Sequence, residues 1–377
     1  MMLKSDRIRV CALACALVVC SSGAPAATCT LTDGAWDTAP SGEDADIVLV
    51  SGDLVWSGAM PKKVKSWTQG TAYTGTVTFD TGLETFTVSG DVALLGGVWT
   101  HTANPEFAPS ADGWKTGRGT KQLIVAVGGD MTITAPGKID LTAKGYYGGD
   151  GPGSPGGQPY GSGGGSHGGS GVIQTPQYHS SRAIGPCYGS AKCPDTLGSG
   201  GNGGNTRCGG GAVRLTVAGG LTVDGDILAP GGTRGGVTDY YSGAGGSVWL
   251  TSATIAGTGT VSVSGGPVAN DGAGGAGRVA IYVTGDGADY TDFTGEITLA
   301  CTVKTLAPFP GTLYREKKAD NGKGELWIKG YDPPTSKIVH FNTLSYQTRG
   351  VYGTWVCDTN APIEVDVLKM TGHTRLS

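Results

Sequence analysis

The sequence predicts an all-β protein, a right-handed parallel β-helix (β-solenoid) with a long Gly-rich loop insertion. Three observations carry this. No window shows apolar residues at i, i+3, i+4 and i+7 with capping residues, so helices are not expected. Short runs of alternating apolar and polar residues, each closed by Gly, Asp-Gly or Ser-Gly, occur along the chain, as strands that turn sharply would. Finally, one block of sequence recurs.

The strand candidates are three to five residues long. They include Ile47 to Val50, Leu54 to Trp56, Thr76 to Phe79, Phe86 to Val88, Val92 to Leu94 and Leu123 to Val127. Met131 to Ile133, Val213 to Val217, Leu221 to Val223, Val248 to Leu250 and Val279 to Val283 follow. The recurring block is clearest at Val213-Arg-Leu215-Thr-Val217, Leu221-Thr-Val223, Ile227 and Gly231-Gly232. Copies begin at Leu123, at Val248 and at Arg278, and a degenerate fifth spans Gly311 to Tyr314 and Glu325 to Ile328. Constant strand cores at unequal spacing are what a solenoid shows when insertions leave from one corner, since a single coil cannot bury its own apolar face. A β-sandwich would want longer strands and hairpins and would not explain the repeat.

The N-terminus reads as an export signal. Lys4, Arg7 and Arg9 precede an apolar run of about 11 residues, Val10 to Cys20, and Ala24-Pro25-Ala26 offers small residues for cleavage. That run is well short of the ~20 residues needed to span a bilayer, and no later segment approaches this length, so no membrane span is expected in the mature chain. Leu17-Val18-Val19-Cys20 loosely resembles a lipobox, although Val19 stands where such boxes want Gly, Ala or Ser. Losing Lys4, Arg7, Arg9 and Asp6 leaves 24 basic and 30 acidic residues, and a net negative chain argues against nucleic acid as a partner.

Domain boundaries follow from these signals. Residues 1–26 read as signal peptide and 27–118 as an N-terminal cap with irregular β rungs, where Trp36, Trp56, Trp67, Trp99 and Trp114 would hide an open core end. Residues 119–330 read as the solenoid, with the Gly-rich insertion at 145–211, which holds 24 of the 69 glycines. Residues 331–377 read as a C-terminal β segment that is cut short.

Six cysteines follow the signal: Cys29, Cys187, Cys193, Cys208, Cys301 and Cys357. Their spacing fits no zinc motif, so disulfides are expected, with Cys187 to Cys193 the first choice. Connectivity is otherwise open.

The ordered set Gly163-Gly-Gly-Ser-His167-Gly-Gly169, Leu197-Gly-Ser-Gly-Gly201, Gly209-Gly-Gly-Ala-Val-Arg-Leu215, Gly243-Ala-Gly-Gly-Ser-Val-Trp-Leu250 and Gly272-Ala-Gly-Gly-Ala-Gly-Arg-Val-Ala-Ile281 resembles glycine-rich secreted or surface β-helix proteins of bacteria. These are similar to autotransporter passengers and adhesins. The resemblance spans roughly residues 70 to 330. It implies a secreted or cell-surface solenoid without assigned chemistry. Cysteines inside the Gly-rich segment depart from that pattern.

No catalytic constellation emerges, and no cofactor is required. Asp286, Asp289 and Asp292 are the nearest to an acidic cluster; they read as turn formers, with a Ca²⁺ site as the alternative. Glu43, Asp44 and Asp46 read as a solvated strand edge, and Gly219-Gly220 with Asp224 only superficially matches a calcium repeat. His167 is expected to order its loop by side-chain hydrogen bonds. The GxGxxG matches carry no phosphate-binding weight without a βαβ unit. The expected role is adhesion, envelope structure or contact with extracellular polysaccharide, exposed Trp and Tyr being able to stack on sugars. The alternative is a β-helical polysaccharide lyase or glycoside hydrolase, which would need carboxylates converging on one face.

Overall fold

A chain without helices must satisfy its backbone N–H and C=O groups between segments. Here the ladders run between successive passes of the chain. The computed structural model describes residues 27–104, 120–155, 163–172, 185–202, 207–233, 241–266, 272–299 and 310–329, plus the backbone of strand Val367–Thr371. The signal peptide and the remainder of 331–377 lie outside the described residues. Among the described residues there is no α-helix, only a 3₁₀ turn at Lys318–Asp320.

Three sheets are formed. The first holds Thr28–Thr32, Ala35–Trp36, Asp46–Leu49, Ser66–Gln69, Val92–Leu94, Met131–Ile133, Gly220–Val223 and Thr254–Ala256. The second holds Leu54–Ser57, Thr76–Asp80, Val98–His101, Lys138–Asp140, Asp226–Leu228, Thr260–Ser262 and Glu296–Thr298. Lys63–Val64, Phe86–Val88, Leu123–Val127, Ala212–Val217, Ser247–Ser252, Arg278–Val283, Thr312–Lys317, Glu325–Lys329 and Val367–Thr371 make the third. From Asp46 to Val283 the chain visits first, second and third sheet in fixed rotation. Pairing is parallel throughout except at Thr28–Thr32 with Ala35–Trp36 and at Thr312–Lys317 with Glu325–Lys329.

The repeat read from the sequence is the sheet register. Leu123, Val213, Val248, Val279 and Leu313 stand side by side on successive strands of the third sheet. Period-2 alternation turns these residues inward, where they join a continuous core with Ile47, Met131, Leu221, Ile139, Ile227 and Val261. The degenerate fifth copy divides: Thr312–Lys317 continues the parallel stack, while Glu325–Lys329 folds back as a hairpin.

Residues 27–104 supply the first strands of all three sheets. Their strands share the three sheets in register with the later ones, and the aromatics fill the interior. Trp56, Trp67, Trp99, Phe79 and Phe86 are each at most 1% exposed, with ring centroids 5.2 to 6.1 Å apart, mostly edge to face. Gln69 lies among them, and its Oε1 accepts the indole N–H groups of both Trp67 and Trp99 while its Nε2 donates to Gly96 O. Trp36 packs on the edge of this core, and Trp114 lies outside the described residues.

The Gly-rich insertion differs from expectation. It leaves between the second and third sheets, as an insertion at one corner should, but its described parts are mostly buried rather than solvated. Similar excursions follow Asp226–Leu228 and Thr260–Ser262, so segments near 145–155, 163–172, 198–201, 207–211, 229–232, 241–246, 263–266 and 272–277 form one layer. Their hydrogen bonds reveal the geometry. Gly243 N donates to Gly232 O, Ala244 N to Ser199 O, Gly245 N to Gly275 O, and Gly246 N returns to the first neighbour at Ala229 O.

A strand sends its N–H groups alternately to two neighbours. Three directions with a return after three residues require about three residues per turn, the geometry of the polyproline II helix. Close packing of such helices leaves no room for side chains. A Cβ at Gly209, Gly243, Gly245 or Gly274 would overlap the main-chain oxygen of Gly198, Cys208, Val263 or Gly243 respectively. Glycine in this layer is a packing residue.

Gly245→Ala should therefore cost about 3 kcal/mol or more, because main chain and not a flexible side chain must give way. Gly42→Ala, where a Cβ meets nothing within 4 Å, should stay within about 0.5 kcal/mol. Urea unfolding of the two variants makes the comparison, and equal midpoints would contradict the packed layer. Gln69→Leu should cost about 2 to 4 kcal/mol in the same measurement, since two buried indole N–H groups lose their acceptor.

Candidate functional site

Most residues singled out from the sequence have structural duties. His167 is fully buried in the glycine layer; its Nδ1 faces Gly245 O at 2.8 Å and its Nε2 faces the Thr196 hydroxyl at 2.9 Å. Since Gly245 O only accepts, Nδ1 carries the proton and Nε2 accepts from Thr196. Burial, and next the Arg278 guanidinium, hold the imidazole pKa down to about 3. His101, also buried, has its pKa lowered to about 4, mainly by burial, and its Nε2 accepts Ala212 N–H where the layer meets the sheets. Arg278 is itself fully buried, donating to Tyr188 O and to the Thr312 hydroxyl.

The outward carboxylates also serve the backbone. Asp53, Asp91, Asp130 and Asp224 each accept an N–H from the next pass of the chain, at Thr76, Asp130, Gly220 and Thr258, over 2.7 to 2.9 Å. This assigns Asp224 a capping role. Glu43 and Asp46 pair with Lys63 and Lys65 across strands, contacts worth little at such exposure.

The acidic triplet is dispersed in role. Asp286 pairs with Lys318 at 2.8 Å; Asp289 caps Thr291, whose hydroxyl and N–H hold the carboxyl below its usual range; Asp292 presents its carbonyl to Gly257 N. Among the described residues no three His, Cys, Asp or Glu side chains gather as metal ligands.

Of the cysteines, Cys29, Cys187 and Cys208 are buried and Cys193 is exposed, and burial raises the thiol pKa of Cys29 and Cys208. These four form no disulfide with one another, so the expected Cys187 to Cys193 closure is not seen; it would join a buried sulfur to an exposed one. Cys301 and Cys357 lie outside the described residues.

The sequence did not single out the outer face of the third sheet, where aromatic and cationic groups come together. Strand register sets Ile124, Arg214, Trp249, Ala280 and Tyr314 in one outward rank, and Ala126, Thr216, Thr251, Tyr282 and Glu316 in the next. Residues 188–196 of the glycine-rich segment cross this face as a strap. It is tied by Arg278 to Tyr188 O, Tyr282 Oη to Lys192 O, Ser247 Oγ to Thr196 O and Gln122 Nε2 to Asp195 O.

Ala191 of the strap packs on Ala280, Tyr314 and Leu326, closing that end of the rank. The other end stays open as a ledge. There the exposed Arg214 lays its guanidinium over the half-buried Trp249 ring, 4.3 Å from the centroid, and the aromatic run continues through Tyr282 at 6.4 Å to Tyr314 at a further 5.8 Å. Lys192 Nζ sits 5.1 Å above the Tyr314 ring. The signal was present in the repeat, where Arg214 and Trp249 occupy the same position of successive copies.

With the fold and ledge defined, comparison with protein-family models, curated proteins and solved structures gives no significant match. The class of protein established is therefore architectural: an all-β chain of three parallel-rich sheets.

Histidine burial gives a pH dependence. In the unfolded chain imidazole takes up a proton near 6.5, but in the folded chain only near 3 to 4. Between these limits the unfolded state binds more protons, so stability is full above about pH 7 and falls as pH drops, by on the order of 1 kcal/mol per pH unit for each histidine. Lowered carboxylates such as Asp46, held down chiefly by the Ser66 hydroxyl, act only below about pH 4. Urea midpoints between pH 7 and 4.5 should fall steadily. A flat profile would contradict neutral burial of both rings.

Proposed function

We propose that this chain is a secreted or cell-surface protein, built as a right-handed parallel β-helix, that contacts extracellular polysaccharide in an adhesive or envelope role without catalysis. The observation that carries the reading is the ledge on the third sheet. Arg214, Trp249, Thr216, Thr251 and Tyr282 face outward there from consecutive strands, held by a frame that fixes their spacing. Aromatic faces and edges flanked by hydroxyls suit sugar rings, which present apolar C–H faces and peripheral OH groups. The export signal and the resemblance to glycine-rich surface proteins support the same compartment. A lyase or hydrolase would instead draw on outward carboxylates, and Asp91 and Asp130 cap backbone N–H groups, Glu43 and Asp46 pair with lysines, and Glu316 beside the ledge accepts from the Tyr314 hydroxyl.

Retardation of the purified protein in native gels containing polysaccharide tests the reading. Binding should weaken about tenfold or more in Trp249→Ala. The same loss is expected in Thr216→Glu, which alters an exposed ledge position without touching the core. Binding unchanged in Thr216→Glu, or no retardation by any polysaccharide, would overturn it. Fractionation of cultures with an antibody to the chain tests the compartment, and a cytoplasmic pool alone would contradict export.

A further inference from the structure

Resting on that reading, we infer that the ledge selects polysaccharide bearing carboxylates, a polyuronate, and that Arg214 reads the charge. Three features lead there. The Arg214 side chain makes no hydrogen bond or ion pair with any described residue, although acidic side chains outnumber basic ones in the chain. Its position is nonetheless fixed by stacking on Trp249, which engages the flat face of the guanidinium and leaves the edge N–H donors pointing away from the ring.

A planar edge with paired donors matches a planar carboxylate through two parallel hydrogen bonds. Because stacking already restricts the side chain, less rotamer freedom is lost on binding than for a free surface arginine. The second cation lies along the same rank. Lys192 of the strap, whose Nζ donates to Gly322 O at 2.7 Å and keeps its charge there, stands above Tyr314, three strand positions from Arg214, or roughly 14 Å at ~4.8 Å per strand. A cation on the open ledge and a second on the strap that walls it suit a polymer with charges at intervals better than a single small anion. The net negative charge of the whole chain does not oppose this, since charges beyond about 8 to 10 Å are largely screened at physiological salt.

Affinity electrophoresis in gels containing polygalacturonate, a neutral glucan or a sulfated galactan tests the inference. The wild-type protein should be retarded most by polygalacturonate, and less as salt is raised. Arg214→Gln should weaken that retardation about tenfold, a larger loss than the same variant shows in the neutral glucan gel. Arg214→Lys, which keeps the charge without the two-donor edge, should fall between. Arg214 is exposed, so its variants should melt as the wild type does.

Equal retardation by polygalacturonate and neutral glucan, indifference to Arg214→Gln, or preference for the sulfated galactan would each overturn the selectivity while leaving polysaccharide contact standing. Retardation in none of the three gels would overturn both.

Discussion

The missing Cβ of glycine is the constraint on which the outer half of this molecule depends. Hydrophobic burial explains the interior of the three sheets, where Val, Ile and Leu from successive passes stack into one core. It cannot explain a buried layer that has almost no side chains. There, cohesion comes from main-chain hydrogen bonds sent in three directions, and from van der Waals contact between backbones that only glycine lets approach so closely. Glycine loses more conformational freedom on folding than any other residue, so such a layer is stable only where something already organises it. The strands flanking each excursion, Lys138–Asp140 and Ala212–Val217 for the longest, provide that anchor.

Polar side chains buried in the layer act as its fasteners. Arg278 belongs to a strand of the third sheet yet reaches Tyr188 O in the strap. His167 links Gly245 O to Thr196, and Ser247 ties its strand to Thr196 O. Each contact joins a Gly-rich segment to a residue whose place is set by the sheets or by a neighbouring segment. Without partners such groups would be costly in a dry interior. With partners they define one arrangement among the many that a glycine chain could adopt. At the far end Arg315 does comparable work for the core. It falls in the inward rank after Leu250 and Ile281 and is covered by Tyr290 and Trp327, with Glu325 neutralising it.

The parts of the fold legible in the sequence were those where side chains carry a period. Alternation located the strands, and the recurring Val-x-Leu cores gave the register of the third sheet, Leu123 to Val213 to Val248 to Val279. The glycine layer was illegible because a threefold helix of glycines leaves no side-chain pattern; its period resides in hydrogen bonds, and composition alone reads it as loop. Residues 27–104 looked irregular because their turns vary in length, although strand positions such as Ile47 and Trp67 stand in register. The role of His167 could be read from its chemistry. Arg214 and Trp249 are 35 positions apart, and their pairing became visible only once copies were aligned strand against strand.

That pairing shows how the layer bears on recognition. The strap that crosses the third sheet is drawn from the glycine-rich segment and fixed by three of the sheet's own side chains and by Gln122, which precedes one of its strands, so the wall of the ledge and its floor are set by one network. Floor residues inherit their spacing from strand separation, which side-chain motion does not alter. A ligand meeting Arg214, Trp249 and Tyr282 therefore finds groups already positioned, and less ordering free energy is lost on contact than on a mobile loop. Disturbing the layer should then reach the ledge indirectly, because His167, itself seated on Gly245 O in the layer, holds Thr196 of the strap through its ring and Tyr188 through its main chain. Glycines far from any ligand would influence binding by that route, through position rather than contact.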